Sequence, residues 1–344
     1  MKVYIEQNKS LKEQNTFGIE AKARWFAEYA SAEELKEVLR SVRSHEGESV
    51  KVLHIGGGSN LLFLKDYDGL VLHSVIHGIE VLEETDSMVR IRVGAGMVWD
   101  DLVEETLRRG WYGLENLTLI PGEVGAAAVQ NIGAYGVEAK DFITEVELLD
   151  MQTLEEITMT REQLCYGYRY SALKSKELWG RYAVLNVVLE LSKSFIPQLG
   201  YGALQQAVSR MDTKQVDGMT LRQVIVDLRN SKLPDPKILG NAGSFFMNPV
   251  VDRAVYEEIK SRYDNVPCYE VDAEHVKIPA GWMIEKAGWK GRALGPAGVY
   301  ERQALVLVNL GGASGQDIVA LCNAVRDDVL RIFGVDIHPE VNFI

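Results

Sequence analysis

The stretch Val50-Lys-Val-Leu-His-Ile-Gly-Gly-Gly-Ser-Asn60 decides the fold class of the first part of the chain. Val50 to Ile55 predicts a buried strand, and the glycine loop follows it directly. A strand-like run upstream, Ala23 to Tyr29, leads into an amphipathic helix that Ser31 can cap. The order strand, helix, strand predicts an α/β opening.

The glycine loop at residues 56–60 allows two interpretations. Three glycines and a serine after a buried strand can turn several backbone N–H groups toward one point, which suits a diphosphate. The spacing matches neither a Rossmann fingerprint nor a P-loop, since no Lys-Ser or Lys-Thr pair follows. A plain tight turn explains the loop at least as well.

A second glycine-rich region is Ile120-Pro-Gly-Glu-Val-Gly-Ala-Ala-Ala-Val-Gln-Asn-Ile-Gly-Ala-Tyr-Gly136. Its small side chains would let a large flat group approach the backbone closely. A tight helix crossing or a cluster of turns would use the same residues. Two such regions in one chain favour an extended ligand with a diphosphate and a ring system.

The remaining periodicities predict a mixture of helices and strands. Gly110 and Gly334 are expected to end the second and the last helix. A final strand is expected to carry Glu340. The expected strands are Leu70 to His73, Val89 to Val93, Ile143 to Met151, Tyr182 to Leu191 and Ala304 to Leu310, and the expected helices are Trp99 to Arg109, Val255 to Tyr263, Ala280 to Ala287 and Gln316 to Phe333.

The stretch from Arg229 to Pro249 combines a helix end with a third glycine-rich turn. We expect Thr220 and Gln223 to cap this helix, and Pro234 to forbid its continuation, which leaves Lys232 at a fixed exit point. Ser244 lies between a glycine and two phenylalanines, a setting that suits a proton donor shielded from water. A buried serine bonded to the backbone is the simpler alternative.

Composition excludes several classes of protein. The 344 residues carry a formal net charge of −12, which argues against a surface that binds DNA or RNA. Three cysteines without metal-ligand spacing fit a reduced compartment, and we expect no metal. The charged N-terminus is unlike a signal peptide, and no stretch is apolar enough to span a bilayer, so we expect a cytoplasmic protein without membrane contact.

Several short motifs in this order resemble the UDP-N-acetylenolpyruvoylglucosamine reductase family. The resemblance runs almost end to end. Its motifs are Asn15-Thr-Phe-Gly-Ile19, Gly56-Gly-Gly-Ser-Asn60, Gly113-Leu-Glu-Asn116, Ile120-Pro-Gly122, Gln130-Asn-Ile-Gly-Ala-Tyr-Gly136, Tyr166-Gly-Tyr-Arg-Tyr-Ser171, Lys232-Leu-Pro-Asp-Pro236, Gly243-Ser-Phe-Phe246 with Asn248-Pro249, and Pro339-Glu-Val341.

The resemblance implies an α+β fold: a two-part FAD-binding domain of the p-cresol methylhydroxylase and vanillyl-alcohol oxidase type, plus a smaller α/β substrate domain. The boundaries expected from it are residues 1–70 and 71–213 for the two FAD-binding subdomains and 214–344 for the substrate domain. The C-terminal strand could pack back on the first domain. The loop with Tyr201 resembles the form of the family in which a tyrosine closes over the substrate.

The same resemblance implies a reaction. NADPH reduces FAD, and hydride then passes to the enolpyruvyl group of UDP-N-acetylglucosamine enolpyruvate, which gives UDP-N-acetylmuramate for peptidoglycan synthesis. Ser244 matches the family's proton donor, and Arg169 and Glu340 match the residues that stabilise the enolic intermediate. A monomer that binds only the UDP-sugar and NADPH is expected.

The resemblance also assigns the binding residues. A basic residue is common in the family where this chain has Asn342, so Arg229 is a candidate to supply the missing charge. The expected FAD ligands are Gly56, Gly57, Gly58, Ser59, Asn60, Pro121, Gly122, Gly125, Ala126, Gln130, Asn131, Gly133, Ala134 and Tyr135, and the expected substrate ligands are Tyr201, Arg229, Lys232, Asn248 and Gln303.

Two other functions stay open on sequence grounds. One is an FAD-dependent alcohol or sugar oxidase on the same fold, which would have no use for Ser244 and Lys232. The other is a non-catalytic nucleotide-binding protein, which would be colourless when purified.

Overall fold

The structure is a computed structural model that describes residues 3–47, 49–200, 202–209 and 216–344. The described residues form nineteen strands, eight α-helices and four short 3-10 helices, and they fall into two compact units. The first unit comprises residues 1–9, 23–57 and 67–229, and the second comprises residues 10–22, 58–66 and 230–344.

The strands are β1 (Glu6–Ser10), β2 (Lys22–Tyr29), β3 (Val52–Ile55), β4 (Leu61–Leu62), β5 (Tyr67–Ser74), β6 (Ile79–Glu84), β7 (Met88–Gly94), β8 (Gly133–Ala134), β9 (Val137–Glu138), β10 (Ile143–Asp150), β11 (Glu156–Thr160), β12 (Tyr182–Ser192), β13 (Val250–Asp252), β14 (Tyr269–Glu270), β15 (His275–Lys277), β16 (Ala293–Leu294), β17 (Ala297–Val299), β18 (Leu307–Asn309) and β19 (Asn342–Phe343). The helices are α1 (Ala32–Glu46), α2 (Trp99–Arg108), α3 (Val124–Gln130), α4 (Gly202–Val208), α5 (Gly218–Lys232), α6 (Arg253–Arg262), α7 (Ala280–Lys286) and α8 (Gly315–Phe333). The 3-10 helices are Lys12–Gln14, Glu115–Leu117, Ala139–Asp141 and Ala172–Lys174.

The first unit is built on two larger sheets and also contains the antiparallel pair β8-β9. One has the strand order β1-β2-β5-β3, and within it β2, β5 and β3 are parallel. The β2-α1-β3 unit is the α/β opening expected from the sequence, and β5 lies between its two strands. The other sheet is antiparallel, with the order β11-β10-β12-β7-β6, and α2 and α3 contribute buried side chains to its core.

The second unit contains small sheets and a phenylalanine core. Strands β13, β15 and β14 form one sheet, β16, β17 and β18 form another, and β19 pairs in parallel with β4. Phe17, Phe245 and Phe246 are buried, and the ring centroids of Phe17 and Phe245 are 6.1 Å apart. Helix α8 ends at Gly334, whose φ of 69° closes the helix in the left-handed conformation as expected.

Three local expectations are corrected. Helix α5 begins at Gly218, and Asp217 accepts the N–H of Thr220 at 2.7 Å, so Asp217 and not Thr220 caps it. The strand expected from Ala304 is shorter, because only Leu307–Asn309 pairs with β17. Glu340 precedes the last strand, which is Asn342–Phe343.

Candidate functional site

The two glycine-rich regions meet in the first unit. A Cβ added to Gly57 would lie 3.5 Å from the Cα of Gly122, and one added to Gly56 would lie 3.2 Å from the Cβ of Ala126. Larger side chains at these positions would fill the space between the two loops, so glycine keeps the backbone itself at this surface. The arrangement fits a diphosphate held by main-chain donors, as the FAD expectation requires.

Part of the second glycine-rich region forms a short helix, so the region is not only a cluster of turns. Val124–Gln130 is helical, and a Cβ on Gly125 would lie 2.9 Å from the Cβ of Ala95. The small residues therefore also allow a close packing contact. Gly125 is buried against Ala95 and so serves close packing, whereas Ala126 is exposed, and its contact with a ligand stays a prediction.

An ionisable cluster lies beside the glycine loops. His73 Nε2 is 2.8 Å from a carboxylate oxygen of Glu123, and its Nδ1 is 3.1 Å from Glu28. Burial alone would lower the pKa of His73, but the hydrogen bonds and charges of Glu123 and Glu28 outweigh it and raise that pKa above its ordinary value. Glu123 is 8% exposed, so this pair is largely withdrawn from water.

His54 lies in β3, the strand that leads into the first glycine loop, and its imidazole is neutral. Its Nε2 lies 2.6 Å from the hydroxyl of Tyr29. Burial, and next the charge of His73, lower the pKa of His54 to about 4. The group therefore carries no charge near neutral pH.

Arg169 holds the segment Gln130 to Gly136 from one side. Its guanidinium donates to the carbonyl oxygen of Gly133 at 2.8 Å and to that of Asn131 at 3.4 Å. The Asn131 amide nitrogen donates to Gly167 at 2.8 Å and to Glu138 at 2.9 Å, and its oxygen accepts from the N–H of Lys140. Because its side chain is engaged in this way, Asn131 would reach a cofactor through its main chain.

Three non-glycine residues of this region have left-handed backbone conformations. The φ angles are 48° at Asn131, 51° at Tyr135 and 55° at Arg169. Such conformations cost free energy and cluster at functional sites, where surrounding contacts impose them. Asn116 supplies one of these contacts, because its amide donates to the carbonyl oxygens of Tyr135 at 3.0 Å and Gln198 at 2.9 Å.

Arg229 brings a second guanidinium to the same part of the first unit. Burial is the main cause that lowers the pKa of Arg229; Tyr135 and Asp100 oppose that change, and the positive charge of Arg169 adds to it. The Nε atom of Arg229 is buried and has no hydrogen-bond partner among the described residues. Two guanidinium groups close enough to affect each other suit an anionic ligand.

Ser244 and Glu340 are brought together in the second unit by the backbone. The Phe245 N–H donates to Leu305 at 2.7 Å, and the Glu340 N–H donates to the carbonyl oxygen of Phe245 at 2.8 Å. Ser244 itself is exposed, whereas Phe245 and Phe246 are buried. The expectation that the serine is shielded from water is therefore wrong for this structure, because the phenylalanines turn inward and the hydroxyl does not.

Residues 58–60 of the first glycine loop belong to the second unit and contact the segment that carries Glu340. The Asn60 amide donates to the carbonyl oxygen of Glu340 at 3.3 Å, and Gly58 accepts the N–H of Thr16 at 3.2 Å. Asn342 donates from its N–H at 3.1 Å and from its side chain at 3.2 Å to the carbonyl oxygen of Asn60. Asn342 therefore has a structural role at the position where a basic residue is common in the family that the sequence resembles.

The expected substrate ligands lie at different places. Lys232 is exposed at the end of α5. Asn248 accepts the N–H of Ala280 at 2.9 Å, and a Cβ on Gly281 would lie 3.3 Å from the side-chain oxygen of Gln303. Asn248 and Gln303 thus flank the start of α7. Tyr201 lies outside the described residues.

The remaining expected cofactor ligands lie within the glycine-rich segments. Gln130 accepts a 2.6 Å hydrogen bond from Lys174, and Ala134 belongs to β8. Ser59 is half-buried and Pro121 is exposed. The sequence analysis did not predict Glu123 as a site residue, although a charged residue inside a run of small ones is a visible signal.

No group of three or more His, Cys, Asp and Glu side chains in the described ranges could hold a metal ion. The described helices are also each too short or too polar to cross a membrane.

Known families match both parts of the chain. A family model described as an FAD binding domain matches residues 23–154. A model described as the UDP-N-acetylenolpyruvoylglucosamine reductase C-terminal domain matches residues 235–344. The expected combination of an FAD-binding part with a smaller C-terminal domain is confirmed.

Two relatives that align along almost the whole chain carry the same name. The chain is 52% identical over 341 residues to a UDP-N-acetylenolpyruvoylglucosamine reductase of Bacteroides fragilis (strain YCH46), with 99% of this chain and 100% of that protein covered. It is 42% identical over 342 residues to the protein of that name from Porphyromonas gingivalis (strain ATCC 33277), with 99% of each covered.

A solved structure has the same fold. The crystal structure of UDP-N-acetylenolpyruvylglucosamine reductase from Thermus caldophilus superposes with a TM-score of 0.68 and 22% identity, and the alignment covers 100% of this chain and 99% of that chain.

Proposed function

The chain belongs to the UDP-N-acetylenolpyruvoylglucosamine reductase family and is an FAD-containing oxidoreductase, and on that premise we propose how its residues divide the reaction. The enzyme uses NADPH to reduce the enolpyruvyl group of UDP-N-acetylglucosamine enolpyruvate to the lactyl ether, which gives UDP-N-acetylmuramate. The observation that carries this function is 52% identity along 99% of the chain to a protein of that name.

When bound, FAD would supply the hydride transfer from NADPH to the β-carbon of the enolpyruvyl group. Gly56, Gly57 and Gly122 would hold its diphosphate, because no side chain there separates a ligand from the main chain, whose N–H groups are suitable donors. In this assignment the neighbouring ligands of the second glycine-rich region, including Gln130 and Tyr135, hold the rest of the cofactor.

Arg169 and Arg229 are assigned to the carboxylate of the enolpyruvyl group. Hydride addition leaves an enolate conjugated with that carboxylate, so negative charge grows there as the reaction proceeds. Guanidinium groups offer paired, planar donors to a carboxylate. The hydrogen bonds from Arg169 to Gly133 and Asn131 orient it in advance, which spares reorganisation during the reaction.

Ser244 is assigned as the proton donor to the carbon adjacent to the one that receives hydride. Its hydroxyl O–H bond breaks and a C–H bond forms, which collapses the enolate to the lactyl product. Glu340 is assigned to stabilise the enolic form, and its main chain is fixed to the residue after Ser244. The exposure of Ser244 gives its oxygen a route to regain a proton from water.

Lys232, Asn248, Gln303 and Tyr201 are assigned to the uridine diphosphate sugar. An exposed lysine at a helix end can reach a diphosphate as a mobile point charge. Asn248 and Gln303 flank the start of α7 and provide amide groups for a neutral part of the ligand.

In the cell, we assign the enzyme to the cytoplasm, where it acts as a monomer in cell wall biogenesis and so supports cell shape, the cell cycle and cell division. The motifs that set it apart from an FAD-dependent alcohol or sugar oxidase are those around Ser244 and Lys232, which such an oxidase does not need.

The test follows NADPH oxidation by the purified protein with and without UDP-N-acetylglucosamine enolpyruvate. We expect a yellow protein whose sustained NADPH consumption, without oxygen, requires the enolpyruvyl substrate. Turnover of an alcohol or sugar with oxygen, and no response to the enolpyruvyl substrate, would favour the oxidase. A colourless protein that binds no flavin would favour a non-catalytic role.

A further inference from the structure

A carboxylate lies where the cofactor's diphosphate is proposed to bind. An added Cβ on Gly56 would lie 3.1 Å from one oxygen of Glu123, and one on Gly57 would lie 3.8 Å from the other. A lone carboxylate this close to the glycine loop would repel an anionic diphosphate bound at the loop. The proposed FAD site therefore needs a positive charge that compensates Glu123.

The compensating group is the imidazole of His73. Its Nε2 lies 2.8 Å from Glu123, and the exposed fractions of the two side chains are 15% and 11%, so water screens the pair little. With His73 protonated, the pair is neutral. With His73 unprotonated, a negative charge faces the glycine loops.

We propose that His73 acts through Glu123 as a positioning residue that sets the charge of the glycine-loop surface and thereby controls how tightly the diphosphate of FAD is held. The inference rests on the proposed function, because it takes these loops as the FAD site. It adds a residue pair to that site and a dependence on pH.

The groups packed around His73 come from three other parts of the first unit. Strand β2 contributes Glu28 and Tyr29, strand β3 contributes His54, and the segment before α3 contributes Glu123. Burial lowers the pKa of His54 to about 4 and raises the pKa of Tyr29 far above neutrality, so both stay uncharged between about pH 6 and pH 9.

The direction in which FAD affinity changes with pH follows from the charge of His73. The pKa of His73 is raised above its ordinary value, with Glu123 and Glu28 outweighing burial. The compensated state is therefore present at lower pH and is lost as the pH rises through that pKa. FAD keeps its diphosphate charge throughout, so its affinity should fall as the pH rises.

The experiment measures the FAD dissociation constant of the apoprotein by calorimetric titration from about pH 6 to about pH 9. For the wild type we expect the constant to rise roughly tenfold across this range. Glu123→Gln should bind tightly throughout, without this dependence. His73→Gln should bind FAD at every pH as weakly as the wild type does at high pH. The double variant should behave like Glu123→Gln.

Two further variants serve as controls. Glu28→Gln removes the exposed partner of His73. It should move the midpoint of the change in FAD affinity to lower pH without abolishing the pH dependence. His45→Gln, on the exposed face of α1, should keep the wild-type profile. Wild-type pH dependence in Glu123→Gln, or wild-type affinity at low pH in His73→Gln, would overturn the proposal. A folded wild-type apoprotein that binds no FAD at any pH would contradict the proposed function instead.

Discussion

The backbone N–H of Glu340 donates a 2.8 Å hydrogen bond to the carbonyl oxygen of Phe245, the residue that follows Ser244. An isolated bridge between Phe246 and Pro339 continues this contact. Two segments almost a hundred residues apart in sequence are thus held side by side, and each carries one residue assigned to the proton-transfer step. Phe245 and Phe246, which follow Ser244, are buried and anchor this segment, whereas Ser244 itself is exposed to solvent.

FAD should be bound non-covalently. Neither glycine-rich loop contains a histidine or cysteine, and His54, which borders the first, has its Nε2 engaged with Tyr29 at 2.6 Å. Acid precipitation of the purified protein should therefore release the yellow colour into the supernatant. Flavin absorbance that stays with the washed pellet would contradict this prediction.

Lys232→Ala should mainly weaken binding of the sugar nucleotide. The loss of one charge-assisted contact should cost about 1.5–3 kcal/mol, while flavin reduction by NADPH should change less. Isothermal titration with the substrate measures the difference. Lys237→Ala, another exposed lysine of the same stretch, is the matched control and should bind normally. Equal affinities for the two variants would remove Lys232 from the site.

Gly58→Ala and Gly18→Ala should differ sharply in stability. Both glycines have a φ of 64°, so both substitutions impose a similar left-handed strain of about 1–2 kcal/mol. A Cβ at Gly58 would also lie 2.0 Å from the carbonyl oxygen of Gln14, whereas no atom lies within 4 Å of one at Gly18. Urea unfolding should show a markedly larger loss for Gly58→Ala, and similar losses would argue against this close approach.

The sequence predicted what local patterns determine. Ser31 caps α1 as expected, since the cap and the apolar stripe lie within a few residues of each other. The pairing of His73 with Glu123 joins residues 50 positions apart, and Asn116 reaches Gln198 across 82 positions. No periodicity reports such contacts. The outward orientation of Ser244 likewise depends on how Phe245 packs against Phe17.

Asp150→Asn should reduce stability in a pH-dependent way. Burial alone would raise the pKa of Asp150, but Arg181 at 2.7 Å and the N–H groups of Gln152 and Thr153 lower it below its ordinary value. This contribution is present above the unfolded pKa of about 3.9 and is lost as the pH falls through the folded pKa.

Urea unfolding at neutral pH should therefore show a loss of about 1–2 kcal/mol for Asp150→Asn, and the difference from the wild type should shrink as the medium becomes acidic. Asp86→Asn, in an exposed turn, is the control and should change little. A loss for Asp150→Asn that stays constant down to acidic pH would show that the charge of Asp150 is not its cause.

The most direct test of the account is stopped-flow measurement of both half-reactions in Ser244→Ala. Flavin reduction by NADPH needs no proton delivered to a substrate carbon, so it should remain near the wild-type rate. Reoxidation by UDP-N-acetylglucosamine enolpyruvate needs that proton and should slow about 10²–10⁴-fold, with a smaller loss in Ser244→Cys, which keeps a proton source. Reoxidation of Ser244→Ala at a near wild-type rate would contradict the assignment of Ser244 as the proton donor.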